Sequence, residues 1–233
     1  MTKTLKQQNH ALLVTYLVVN IVGMGTLLGN PNGVAGLLDA GHQGNWSMLG
    51  HTLSLSAIVS VIIGIATWVL PTAAKETLVF WRTGMRRLPS SRAFSHIARN
   101  DPRINIKQLR ARLATPFPQG AKEQTAVWYG LYHQHAHAPA VTDSNRAYLL
   151  LRDMTALTAL LVPVVVLLCI DLGIPVGREI QLLSTLCLEY LILSMAARNA
   201  ASRLVANVLS LAAKHDSPTV QHIPQGNLSE GTR

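Results

Sequence analysis

The chain has 233 residues, of which 49% are hydrophobic and only 13% charged, at a mean hydropathy of +0.27. A charged share about half that of an ordinary soluble domain places it among membrane proteins, while a formal net charge of +9 requires a concentrated basic region beside the apolar body. The two cysteines, Cys169 and Cys187, lie inside apolar runs and support neither a disulfide framework nor a cysteine zinc site, and no phosphate loop, serine elbow, HExxH or CxxC spacing points to an enzyme or a bound cofactor.

Residues 11–29 form 19 consecutive positions without a charge, enough to cross a hydrocarbon core of about 30 Å at helical rise. Lys3 and Lys6 precede this run, which raises the alternative of a cleaved signal peptide. The run is longer than a signal core, and no small-x-small cleavage pattern follows it, so it reads as an uncleaved anchor. Residues 52–70 are a second uncharged run of 19, ended by Pro71. Between them, residues 30–51 carry Asp39 as their single charge and no lysine or arginine, as expected of an extracytoplasmic loop. Residues 1–71 are thus expected to form a first transmembrane hairpin.

Residues 72–153 hold 13 of the 20 lysines and arginines against five acids. The flanks that set orientation are basic here, with Arg82, Arg86 and Arg87 after the second run and Arg146 and Arg152 before the third. Lys3, Lys6, Arg198 and Arg203 agree with them. The segment therefore reads as a basic cytoplasmic helical domain, with both termini on its side of a bacterial inner membrane. Three helices are expected, over 73–88, 104–114 and 121–134, with Asp101 before Pro102 as a helix start. Their small apolar core (Phe94, Ile104, Leu109, Leu113, Phe117, Trp128 and Leu131 among others) is thin enough to call for completion by homo-oligomeric contacts.

Residues 154–174 give a third span, interrupted by Pro163 and carrying Asp171, and residues 180–197 a fourth that contains Gln181 and Glu189. A turn at Pro175 and Gly177 pairs them into a second hairpin over 154–197. The pattern then becomes amphipathic over 198–214, a helix lying on the membrane or against the basic domain, and 215–233 read as a disordered tail. The expected architecture is an all-α membrane protein with two transmembrane hairpins flanking a small cytoplasmic helical domain.

Three features bear on function. Small residues recur four apart at Gly25, Gly29 and Gly33 and at Ser56, Ser60 and Gly64, a spacing that lets helices pack closely within a hairpin or between subunits. Among intramembrane polar groups, Asn20 lies at mid-span, Asp171 sits near an interface within reach of Arg178, and Glu189 is about 12–14 Å from either end of its span. Glu189 cannot snorkel that far. It is expected to face the bundle interior, to pair with a donor such as Asn20 or Tyr16, to line a wet path, or to hold its proton. His133, His135 and His137 read as a solvated loop rather than a metal site. Arg82, Arg86, Arg87 and Arg203 suit anionic headgroups or a cytoplasmic protein partner, and the basic stretch begins too close to the bilayer for nucleic acid.

The stretch 92–153, with RAFSHIARNDPRI, EQTAVWYGLYHQH and NRAYLLLRDMTAL, resembles a group of small bacterial four-span inner-membrane proteins of unassigned function, over about a quarter of the chain. It brings no catalytic residue. Some proteins of this size and topology act as membrane effectors in phage defence. The resemblance implies a non-enzymatic effector that takes a partner or signal on its cytoplasmic domain and alters membrane permeability. The alternative is a constitutive ion channel or proton-coupled transport subunit.

Overall fold

The computed structural model describes residues 5–29, 69–84, 88–113, 116–171 and 173–214, and every regular element among them is helical. We label the helices α1 (Leu5–Gly29), α2 (Thr72–Phe80), α3 (Ile106–Leu113), α4 (Ala121–His135), α5 (Pro139–Asp171) and α6 (Val176–Lys214), with a compound helical segment over 89–100 between α2 and α3. The loop 30–51, most of the second run, the tail, and with them Ser56, Ser60, Gly64, Arg86 and Arg87, lie outside the described residues.

Helices α5 and α6 form the axis. Their 33 and 39 residues correspond to about 50 and 58 Å of rod, well beyond the roughly 30 Å a bilayer core needs. Both are long and apolar enough to cross a membrane, and α1 holds a shorter apolar stretch. Proline opens α5, where a missing N–H costs nothing. The helix ends in a Schellman turn: Gly173 takes φ +59, its N–H donates to Ile170 O at 3.2 Å, and the N–H of Ile174 reaches back to Cys169 O at 2.9 Å. Ile174 then packs on the apolar cluster that contains Cys169, which fixes the reversal into α6.

Two cores share this axis. Near the α5–α6 turn, Leu17 and Met24 of α1 pack with Leu157, Leu161, Val165, Leu182 and Leu186. At the other end, Phe94, Leu109, Trp128, Val141 and Tyr148 close around Ala200, Leu204, Val208 and Leu209 of α6. The expected boundary at 153/154 therefore does not exist as a break, because α5 passes through it. Residues 198–214 continue α6 and take the second of their two expected placements, against the small domain, where they form the centre of its core. The lower part of α6 thus adds Ala200, Leu204, Val205, Val208 and Leu209 to the apolar residues expected for that domain's core.

The expected helix over 73–88 stops at Phe80, since Trp81 turns into the left-handed region at φ 53. Asp101 does not cap a helix. The next helix begins at Ile106, where Asn105 Oδ1 accepts the N–H groups of Lys107 and Gln108 at 3.1 and 3.2 Å. Asp101 instead clamps Arg103. The third expected helix is found as Ala121–His135, opened by Gly120, whose N–H donates to Glu123 Oε2 at 3.4 Å.

Gln124, 2% exposed, ties this domain together. Its Oε1 accepts the backbone N–H groups of Phe94 and Ser95, both at 3.1 Å, and its Nε2 donates to Gln119 O at 3.1 Å. Each buried N–H left without such an acceptor would cost about 1–3 kcal/mol. The stretches 92–104 and 123–135, far apart in sequence, meet through this one side chain.

Candidate functional site

Apolar packing between α1, α5 and α6 is interrupted at one level by four polar side chains. Tyr16 and Asn20 are one turn apart on α1 and so share a face; Thr158 is fully buried on α5; Glu189 comes from α6. Glu189 Oε1 accepts from the Tyr16 hydroxyl at 2.7 Å and from Asn20 Nδ2 at 3.1 Å. The second N–H of Asn20 goes to Tyr16 O at 3.2 Å, the Tyr16 hydroxyl lies 2.5 Å from Thr158 Oγ1, and Thr158 Oγ1 donates to Met154 O at 3.0 Å. Both donors that the sequence offers to Glu189 are thus in place on one oxygen.

Proton counting gives this cluster two states. The line Glu189–Tyr16–Thr158–Met154 has three contacts, and the two hydroxyls supply two protons. With an ionised carboxylate, Tyr16 donates to Glu189, and Thr158 serves either Tyr16 or Met154 O but not both. With a protonated carboxyl, Glu189 donates to Tyr16 and every contact carries a hydrogen. The bond from Thr158 to Met154 O keeps its direction in that arrangement, and the Glu189–Tyr16 contact is the one that reverses.

On the small-domain side of this cluster lies a buried ion group. Asp153 Oδ1 accepts from Lys75 Nζ at 3.1 Å and from Arg152 Nε and Nη2 at 3.1 and 3.0 Å, with Lys75 and Asp153 each 6% exposed. Beside it, Arg198 of α6 caps the end of α2 by donating to Val79 O at 2.7 Å and stands 4.1 Å from the Trp81 ring centroid. Trp81 Nε1 donates to the Tyr190 hydroxyl at 2.9 Å, and Tyr190 donates to Leu78 O at 2.6 Å. Burial drives the neighbouring Tyr148 hydroxyl well above the ordinary tyrosine range, with the negative charge of Glu76 adding to the effect.

The other expected site residues stay apart. Asp171, expected either to pair with Arg178 or to snorkel to the interface, is exposed at the end of α5 and makes no ion pair with Arg178 among the described residues. Arg82 and Arg203 are exposed, on different elements. His133 and His135 close α4 and His137 follows in a turn, rather than all three lying in a loop; no group of three or more metal-ligating side chains occurs among the described residues. Thr158 and the Lys75–Asp153–Arg152 group were not singled out in the sequence. Asp153 directly after Arg152, at the edge of an apolar run, was the one local signal for the latter.

Among the described residues the chain is all helical, with two helices long and apolar enough to cross a membrane. The chain matches no protein-family model, no curated protein and no solved structure.

Proposed function

We propose that this is a non-enzymatic inner-membrane protein that works as an oligomer, receives a partner or signal on its basic cytoplasmic domain, and changes membrane permeability in response. The observation that carries the reading is the continuity of α5 and α6. The same two helices supply Val141, Tyr148, Leu204 and Val208 to the small domain and Thr158 and Glu189 to the polar cluster. A shift of the domain is transmitted along two rods to the intramembrane carboxylate with no flexible joint between. The exposed apolar face of α6 at Leu188, Ile192 and Met195 suits lipid and subunit contact. In cells, triggered expression should collapse the membrane potential within minutes; an unchanged potential at equal protein level would sink the effector reading. A constitutive proton-coupled path is the second reading, supported by the hydroxyl chain on Glu189.

The orientation rests on the basic flanks. In support, Asn9 near the start of α1 exchanges two hydrogen bonds with Arg146, at 2.9 and 3.1 Å, so the start of α1 lies on the small-domain side. With Cys169 and Cys187 replaced, a cysteine at Val176, 68% exposed in the α5–α6 turn, should react with an impermeant maleimide in intact cells, and one at the exposed Lys122 should not. Labelling at 122 in intact cells would overturn the topology. Ser90 is buried and would stay unlabelled on either side.

A further inference from the structure

Just beyond the apolar stretch of α6 there is an open groove of about 570 Å³, whose polar lining includes Asn100, Asp101, Arg103, Asn199, Ser202 and Arg203. One wall is a ladder on α6, where Asn199, Ser202 and Arg203 (i, i+3, i+4) project from the same face. The intervening Ala200, Ala201, Leu204 and Val205 are buried in the small-domain core, so this wall is rigid. The other wall is the turn at 101–103 and the helical segment before it.

The charge balance of the groove is set by three residues. Asp101 is its only acid, and the Arg103 guanidinium beside it holds its carboxyl below the usual range. Arg103 binds it through the backbone N–H and Nε, both at 3.0 Å, and Nη2 at 2.7 Å, while Arg103 Nη1 goes to Asn207 at 3.1 Å. That pair neutralises itself. Arg203 makes no ion pair or hydrogen bond among the described residues and is the surplus cation, with the side chains of Asn199 and Ser202, equally without a described partner, beside it. With the one carboxylate of the groove already bonded to Arg103, the Arg203 guanidinium and the donors of Asn199 and Ser202 match an oxyanion with several acceptor oxygens, and arginine is the side chain best shaped for phosphate.

Depth identifies the source. Residues 199–203 lie two to six positions past Ala197, about 3–9 Å along the helix, and the headgroup layer occupies about 5–8 Å on each side of the hydrocarbon core. The groove is larger than a bare phosphate and open to its surroundings, so an esterified phosphate can enter with its lipid tail outside. We propose that this groove binds the phosphate of an anionic lipid headgroup, with Arg203 as its charge partner. The lipid source rests on the membrane reading above; the phosphate chemistry does not.

The test uses the full chain in a nonionic detergent, titrated with short-chain phosphatidylglycerol, phosphatidylcholine and glycerol phosphate. Phosphatidylglycerol should bind best, Arg203→Gln should weaken it about tenfold, about 1.4 kcal/mol, and Arg203→Lys should recover part of the loss. Ser202→Glu, which sets a carboxylate on the groove wall, should abolish binding, and Lys122→Gln, at an exposed position outside the groove, should leave it unchanged. Equal helicity of the variants excludes unfolding as the cause, as expected for exposed positions. Glycerol phosphate binding as tightly as the lipid, with the same loss in Arg203→Gln, would overturn the lipid assignment even if the topology labelling succeeds. Unchanged phosphatidylglycerol binding by Arg203→Gln would overturn the site.

Discussion

Asp153→Ala should destabilise the protein by about 3–5 kcal/mol, whereas Lys75→Met should cost far less. The two residues are equally buried and share one contact, so the asymmetry comes from what each removal leaves behind. Without the carboxylate, the Lys75 ammonium and the Arg152 guanidinium, whose side chains are 8% and 12% exposed, lose the one oxygen that both of them bond. Without Lys75, the Arg152–Asp153 pair remains neutral and bonded through Nε and Nη2, and methionine fills the lysine's space. The double variant should recover part of the Asp153→Ala loss, because one stranded cation has gone. Thermal unfolding in detergent, followed by helicity, measures all three, and equal losses for the two single variants would refute the account. The group joins α2 to α5 beside the polar cluster, so the damaged variant should also lose any dependence of permeability on the cytoplasmic domain.

Much of the helical framework was legible because it follows local rules. Length without charge gave α5 and α6 as apolar helices, and Pro175 with Gly177 marked the turn between them. The limits of α4 agree to within a residue, because Gly120 and the turn before Pro139 are strong punctuation. Errors arose where a local signal had a long-range use. Asp101 before Pro102 has the composition of a helix start, but Arg103 offers its carboxylate three donors and wins over the backbone. The change from all-round apolar to amphipathic at Arg198 suggested a helix lying on the membrane or against the basic domain, with nothing local to choose between them. In fact Ala200, Ala201, Leu204, Val205 and Val208 are the centre of a core whose other walls lie about a hundred residues earlier, at Phe94 and Leu109. No periodicity within 198–214 records that.

The candidate site divides in the same way. A glutamate that the sequence places near the middle of an apolar run announces itself by cost alone, and the donors able to satisfy it in the described part of the bundle are few. Asn20 and Tyr16 were therefore reachable from sequence. Thr158 was not, since a threonine in an apolar helix usually bonds its own i−4 carbonyl, as it does here to Met154 O, and only the docking of α1 brings the Tyr16 hydroxyl to it.

Glu189→Gln should preserve the fold and assembly and abolish permeability or its dependence on pH, while Glu189→Leu should disrupt both. The glutamine amide oxygen can take the place of Oε1 and accept from Tyr16 and Asn20, so the contacts at 2.7 and 3.1 Å persist without a titrating group. Its NH2 can also stand in for the protonated carboxyl by donating to Tyr16, but it cannot move between the two arrangements by gaining or losing a proton. Leucine offers no acceptor. One N–H of Asn20 is then stranded among apolar side chains, Tyr16 keeps only Thr158, and a loss of about 1–3 kcal/mol per unsatisfied group is expected. Tyr16→Phe separates the carboxylate from the chain it heads: Asn20 still holds Glu189, but the link to Thr158 is cut, so a conducting role predicts the glutamine phenotype and a packing role predicts a mild loss of stability. Permeability of vesicles containing each variant, measured across pH at matched assembly, decides between them. If the glutamine and phenylalanine variants behave as wild type and only leucine disturbs assembly, Glu189 fixes helix packing and the proton-coupled reading loses its carboxylate.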